Sequence, residues 1–246
     1  MVKEYVPDKY KIEPGGETAY GEITDKLIDQ ETGHWFLLTN RSFKEINHSF
    51  ANIPEKIIVD LKDRRTEESD PIRVLDVGGG IESRASGELA EKEHNQNVQV
   101  FSIDMAVRKK DQEGLRQIAG DVLKLPIRDG AIDLAYSRMS MSLIEEEEPG
   151  KLFEALREVA RVLKPGGIFL VDKTFTERLE KLEEFKSLEE ELGVVFYSKE
   201  LGLFLKPLER LLNKLRHDYP DWKFIIMIKE PVDESLLRKL RLKELE

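Results

Sequence analysis

The rhythm of hydrophobic and polar positions changes near residue 71. Beyond it, compact apolar runs alternate with amphipathic stretches. IRVLDV, VQVFSID, RQIAGD, AIDLAYS and GIFLVDKTF read as successive strands. Ser83 to His94 reads as a helix, as does Pro149 to Leu163, where Leu152, Leu156, Val159 and Leu163 recur at helical spacing. Thr176 to Leu192 and Pro207 to Tyr219 read as further helices, and VVFYS and KFIIMI as later strands. Alternating elements of this length imply a mainly parallel sheet covered on both faces by right-handed crossovers.

Before residue 71 the pattern is different. Residues 1–17, with Pro7, Pro14 and Gly15-Gly16, read as an irregular arm. Residues 18–65 read as helical: Ile23, Leu27 and Ile28 fall on one face, Trp35, Phe36, Phe43, Ile46 and Phe50 form a second apolar set, and Glu55 to Lys62 suggests a third helix. The charged stretch Thr66 to Pro71 marks a boundary. At the other end, Asp233 can cap a helix whose Leu236, Leu237, Leu240 and Leu245 form an apolar stripe. The chain thus divides into an arm and helical cap (1–71), an α/β domain (72–232) and a C-terminal amphipathic helix (233–246). The stripe is expected to dock on the same domain or, in a homo-oligomer, on a second copy.

Composition narrows the function. With 40% hydrophobic and 36% charged residues in 246, the chain has the balance of a globular domain. No apolar run approaches the roughly 18–20 residues a membrane span needs, and MVKEYVPDKY lacks an apolar leader core. A cytoplasmic location is expected. Without cysteine, thiolate nucleophiles and thiolate metal sites are excluded. His34, His48, His94 and His217 show no metal-ligand spacing, so no metal site is assigned. The net charge of −10 argues against nucleic acid as the main partner, since Arg108-Lys109-Lys110 and Arg238 to Lys243 are short basic stretches.

The strongest chemical signal is Val74-Leu75-Asp76-Val77-Gly78-Gly79-Gly80. A buried strand runs into a turn where glycines allow the backbone close to a ligand, and the following helix start offers free N–H groups to an anion. Asp104 ends the second strand, at the same sheet edge, where a carboxylate can accept hydrogen bonds from both hydroxyls of a ribose. Helix capping is the competing role for Asp104.

Gly120-Asp121-Val122-Leu123-Lys124-Leu125-Pro126 supplies a third piece. Together VLDVGGG, FSID, GDVLKLP, AIDLAYSRMSMSLI and LREVARVLKPGGIFLVD stand in an order and spacing that resembles the class I S-adenosylmethionine-dependent methyltransferases, especially those related to ubiquinone and menaquinone biosynthesis enzymes, over roughly residues 72–175. The resemblance implies an α/β, Rossmann-like, doubly wound, mainly parallel seven-stranded sheet whose last strand, KFIIMI, is antiparallel. It implies S-adenosyl-L-methionine as cofactor and a small or medium-sized acceptor. It also implies that Gly78, Gly79 and Gly80 line the methionine half and that Asp76 orients it. Asp104 would bind the ribose with Met105 beside the adenine, Asp121 and the Val122 N–H would read the adenine edge, and Ser137 would lie near the sulfonium. No general base is identified. Met139 and Met141 are candidates for an acceptor pocket or for core filling, and Tyr20, Trp35, Arg41 and Phe43 for the cap that chooses the acceptor.

One position departs from the family. Glu82 stands where a third glycine is usual, bringing a negative charge near the place of the cofactor's carboxylate. A non-catalytic protein that kept the fold is the alternative this suggests. A nicotinamide-dependent oxidoreductase is a third reading, weakened because its fingerprint wants Gly or Ala where Ser83 stands.

Overall fold

A computed structural model describes residues 3–17, 23–33, 35–38, 40–66, 69–94, 96–109, 112–138, 140–141, 150–172, 182–200, 223–240 and 243–244. Four strands come first: β1 (Lys3–Tyr5), β2 (Tyr10–Glu17), β3 (Ile23–Asp29) and β4 (Trp35–Leu38). Helices α1 (Phe43–Ser49) and α2 (Ile53–Asp63) follow. The remainder is β5 (Ile72–Val77), α3 (Arg84–Lys92), β6 (Val98–Asp104), β7 (Val107–Lys109), β8 (Leu115–Ala119), β9 (Ile132–Ser137), α4 (Lys151–Val162), β10 (Leu163–Asp172), α5 (Leu182–Leu192), β11 (Val194–Glu200), β12 (Lys223–Lys229), α6 (Glu234–Leu240) and the two-residue β13 (Lys243–Glu244).

The main sheet has the order β8-β6-β5-β9-β10-β12-β11-β13. Strands β8, β6, β5, β9 and β10 run parallel, and β12 is antiparallel to both β10 and β11. This is the expected Rossmann-like sheet of seven strands with KFIIMI antiparallel, lengthened at one edge by β13. The order follows from burial. On β5, Val74 faces one core and Leu75 the other; on β12, Phe224, Ile226 and Ile228 alternate with Ile225 and Met227 in the same way. Side chains that alternate between two apolar layers are what a sheet covered on both faces requires. Helices α1, α2, α3 and α6 contribute to one layer, α4 and α5 to the other.

The sheet starts in its middle. From β5 the chain winds outward through β6 to β8, then returns to the far side of β5 with β9 and β10. A crevice for ligands opens at such a reversal, outside the carboxyl ends of the strands, here between Val77 and its partner Ser137.

The N-terminal segment corrects the sequence reading. Residues 3–17, the described part of the expected irregular arm, form strands: β1 pairs antiparallel with β7, and β2 pairs along its length with β3. Ile23, Leu27 and Ile28 lie on a strand, not a helix, in an antiparallel sheet β2-β3-β4. The cross-strand ladder from Tyr10↔Asp29 to Glu17↔Ile23 satisfies the backbone that a helix would have satisfied internally. The helical expectation holds for α1 and α2, the first closed by a capping box between Ser42 and Glu45.

At the C-terminus the capping expectation holds: Asp233 Oδ1 accepts the Ser235 N–H at 2.8 Å. Leu236 and Leu240 are buried in the chain's own core, and salt bridges Arg64–Asp233 and Lys239–Asp60 tie α6 to α2. Leu236 and Leu240 of the stripe thus dock on their own domain. The helix ends at Leu240, because Lys243–Glu244 pairs with Tyr197 and Ser198 as a strand. Leu245 and the helix expected at Pro207 to Tyr219 lie outside the described residues.

Candidate functional site

β5 delivers Gly78, Gly79 and Gly80 to the crevice. Gly78 and Gly80 both have φ of +75°, a conformation that favours glycine. Gly79 has a different constraint: a Cβ there would lie 2.2 Å from Ser102 Oγ and 3.0 Å from Asp76 Oδ2. The Gly78 N–H donates to Ile103 O at 2.8 Å, folding the turn back over the neighbouring strand.

Asp104 closes that strand. Its Oδ2 accepts the Gly80 N–H at 2.9 Å, while Oδ1 has a longer contact, 3.4 Å, with the Ala106 N–H. Burial pushes this carboxyl up to about 6, against the lowering effect of the backbone donors Gly80, Ala106 and Met105. Asp76 lies beneath the turn, 3% exposed, with its Oδ2 accepting the Ser86 hydroxyl at 2.7 Å. Burial above all, and then the Asp104 charge, pushes it up to about 7. The buried Tyr136 hydroxyl is raised well above its ordinary value by burial and by the Asp76 charge.

Asp121 and Val122 stand at the adjoining strand end. Gly120 N–H donates to Asp104 O at 3.0 Å, joining this loop to Asp104. Asp121 is exposed, and its Oδ1 accepts the Leu123 N–H at 2.9 Å, capping a short 3-10 turn over Val122–Lys124. Met105 is half-buried beside Asp104 and packs against the N-terminal strands. These four residues meet along the ends of β6 and β8, as their order in the chain suggested.

Ser137 is fully buried at the end of β9, where its hydroxyl shares a hydrogen bond with Ser140. Ser140 Oγ in turn donates to Val77 O at 2.9 Å and packs on Gly78, where a Cβ would come within 2.3 Å of the Ser140 Cβ. Sequence reasoning missed Ser140. Its spacing of three from Ser137 was the available signal. Met141 is fully buried in the core, as core filling requires; Met139 lies outside the described residues.

The Glu82 carboxylate lies against Arg108, with its Oε1 2.5 Å from Arg108 Nη1. The N-terminal sheet flanks this point, with Tyr10, Leu27 and Leu38 sharing one apolar cluster with Ile81 and Ala106. Strands, not helices, therefore wall this side. Of the cap residues, Phe43 is in the core, Trp35 is 50% exposed beneath the Lys26 ammonium, Arg41 is half-buried, and Tyr20 lies outside the described residues. Among the described residues no His, Cys, Asp and Glu group could hold a metal, and no helix is long and apolar enough to cross a membrane.

Comparison with known proteins finds similarity over the middle of the chain. Residues 75–171 match the methyltransferase domain family. An anamorsin homolog from Ricinus communis is 33% identical over 138 residues, covering 50% of this chain and 47% of its own length, so the chain spans about half of that curated relative. Among solved structures, YcgJ from Bacillus subtilis is 18% identical, covering 74% of this chain and 98% of its own, with a TM-score of 0.42. Haemonchus contortus phosphoethanolamine N-methyltransferase 2, solved with S-adenosyl-L-methionine, is 15% identical over 83% of this chain and 62% of its own, with a TM-score of 0.43.

Proposed function

We propose that this chain, whose residues 75–171 match the methyltransferase domain family, is a class I methyltransferase that transfers the methyl group of S-adenosyl-L-methionine to a small or medium-sized acceptor. The observation that carries the reading is the meeting of the glycine turn, Asp104 and the Asp121–Val122 loop at the reversal point of the sheet. The donor set fits the cofactor. Asp104 is oriented through Oδ2, and Oδ1, whose contact with the Ala106 N–H is the longer one at 3.4 Å, is the oxygen proposed to meet a ribose hydroxyl. The start of α3 beyond the turn suits a carboxylate.

In this reading Gly78, Gly79 and Gly80 let the backbone approach the methionine half, and Asp76 holds the turn from below. Asp104 fixes the ribose, Met105 flanks the adenine, and Asp121 with the Val122 N–H reads its edge. Ser137 fixes the loop after β9 near the sulfonium. The cofactor, when bound, supplies an already electrophilic methyl group. The protein's share is alignment and exclusion of water, and alignment alone is worth roughly 7–11 kcal/mol in well-oriented systems. The non-catalytic alternative drew its support from Glu82 and from the missing general base, and the Arg108 partner of that carboxylate weakens the first of these. Residues 72–232 are assigned to cofactor binding, residues 1–71 to a cap and residues 233–246 to a C-terminal segment. A small-molecule acceptor and a cytoplasmic location complete the proposal; nucleic acid is disfavoured by the charge of −10.

The direct test is thermal unfolding with S-adenosylhomocysteine, S-adenosylmethionine and NAD in parallel. The first two are expected to raise the melting temperature and NAD to leave it unchanged. Stabilisation by NAD alone, or by none, would overturn the assignment.

A further inference from the structure

Arg108 is attached to the glycine turn at two successive residues. Its backbone N–H donates to Ile81 O at 2.8 Å, and its guanidinium meets the Glu82 carboxylate at 2.5 Å. Both side chains are largely withdrawn from solvent, Glu82 to 16% and Arg108 to 33% exposure. The strand that carries Arg108 is itself held: β7 pairs with β1 in the register Tyr5↔Val107, Glu4↔Arg108 and Lys3↔Lys109. On the other side Ile81 and Ala106 share an apolar cluster with Tyr10, Leu27 and Leu38. The turn after β5, the segment after Asp104 and the N-terminal strands are thus joined around one ion pair.

Glu82 lies two residues before the start of α3, where N–H groups and the positive end of the helix attract anions. An unpaired carboxylate at this point would occupy those donors itself or repel a ligand carboxylate. At about 4 Å such repulsion amounts to a loss of roughly fivefold to several-hundredfold in affinity. We propose that Arg108 is a positioning residue for the cofactor carboxylate: it neutralises Glu82 and holds it aside, leaving the turn and helix start to the ligand. The proposal rests on the cofactor reading above. It accounts for how the chain carries an acid where the family has glycine.

Two ligands separate the charge effect from general support of the site: S-adenosylhomocysteine, which carries the carboxylate, and methylthioadenosine, which has the same adenosine without it. By calorimetry, Arg108→Gln is expected to weaken S-adenosylhomocysteine by about tenfold or more and to leave methylthioadenosine within about twofold. Arg108→Lys should retain most of the affinity. Glu82→Gln/Arg108→Gln should restore it, and Glu82→Gln alone should bind at least as tightly as the unaltered chain. Equal losses for both ligands, no loss for either, or no recovery in the double variant would overturn the proposal. Weakening by Glu82→Gln alone would overturn it also, since the carboxylate would then be helping to hold the ligand. An unaltered chain that binds neither ligand would sink the cofactor reading and this proposal with it, whereas tight binding of both with no response to these changes sinks the proposal alone.

Discussion

Gly80 donates its backbone N–H to Asp104 Oδ2 across 2.9 Å, which joins the turn after β5 to the end of β6. The same carboxylate is the one proposed to bind the ribose, so in that proposal one group would recognise one half of the cofactor and shape the loop that receives the other half. Asp104→Ala removes both effects. A hydrogen bond to a charged group contributes about 1.5–3 kcal/mol, so S-adenosylhomocysteine affinity is expected to fall by roughly 10- to 150-fold. Unchanged affinity in a folded variant, measured by calorimetry, would refute the assignment.

Protonation of the site follows from the same burial. Asp76 is pushed up to about 7 and Asp104 to about 6, both above the ordinary carboxylate value. A raised carboxyl binds its proton more tightly in the folded chain than in the unfolded one. Its contribution to stability is therefore full below the unfolded value and is lost as pH rises through the folded value. Without ligand, these two groups make the melting temperature fall between about pH 5 and pH 8. Ligand binding runs the other way, because the ribose needs the ionised form of Asp104. S-adenosylhomocysteine affinity should rise from pH 5 to 7.5 and level off, and Asp104→Asn should flatten the profile. A profile unaffected by that variant would show that another group titrates.

The space around Gly79 gives a purely steric test. A Cβ would sit 2.2 Å from Ser102 Oγ, an atom that is buried and has no hydrogen-bond partner among the described residues. Overpacking of this kind costs typically 1–3 kcal/mol, so Gly79→Ala should lower stability by about that amount. Ser102→Ala removes the obstructing oxygen together with an unpaired polar group, and is expected to be neutral or slightly stabilising. The double variant should recover most of the loss. Additive effects in denaturant unfolding would mean that the two positions do not compete for the same space.

The difference between the legible and illegible parts of the chain is one of range. Strands β5, β6, β9, β10 and β12 are buried on both faces, so their apolar runs identify them locally. The glycine turn, Asp104 and the Asp121 loop are likewise local motifs at fixed spacing. Strand β3 was misread because Ile23, Leu27 and Ile28 also fit a helix, and its pairing with β2 is not written in its own residues. The turn that follows did carry a signal: Asp29 Oδ1 accepts from the Glu31 and Thr32 N–H groups, and Gly33 has φ of +73°. Arg108 was beyond such reading, because the bond that defines it spans 26 positions; Ser140 carried a local signal in its spacing from Ser137, but its bond to Val77 spans 63.

The C-terminal helix offers the last test. Asp233 combines two interactions that ordinary surface aspartates lack: it caps α6 through the Ser235 N–H, and it pairs with Arg64 on α2. The Ser235 and Arg64 contacts hold its carboxyl well below the usual range, so its contribution is present at neutral pH and fades only as pH falls through that depressed value. Loss of an N-cap costs about 0.5–2 kcal/mol, while the half-exposed ion pair adds little after screening. Asp233→Asn keeps a capping oxygen but loses the charge, and should cost less than Asp233→Ala. Deleting residues 233–246 removes more, because Leu236 and Leu240 are buried in the core that α1, α2 and β12 share. That deletion is expected to lower the melting temperature by several degrees more than Asp233→Ala, without changing the oligomeric state seen by light scattering. An unchanged melting temperature would mean that α6 does not hold its packed position in solution, and a change of oligomer would move its apolar stripe back to an interface between chains.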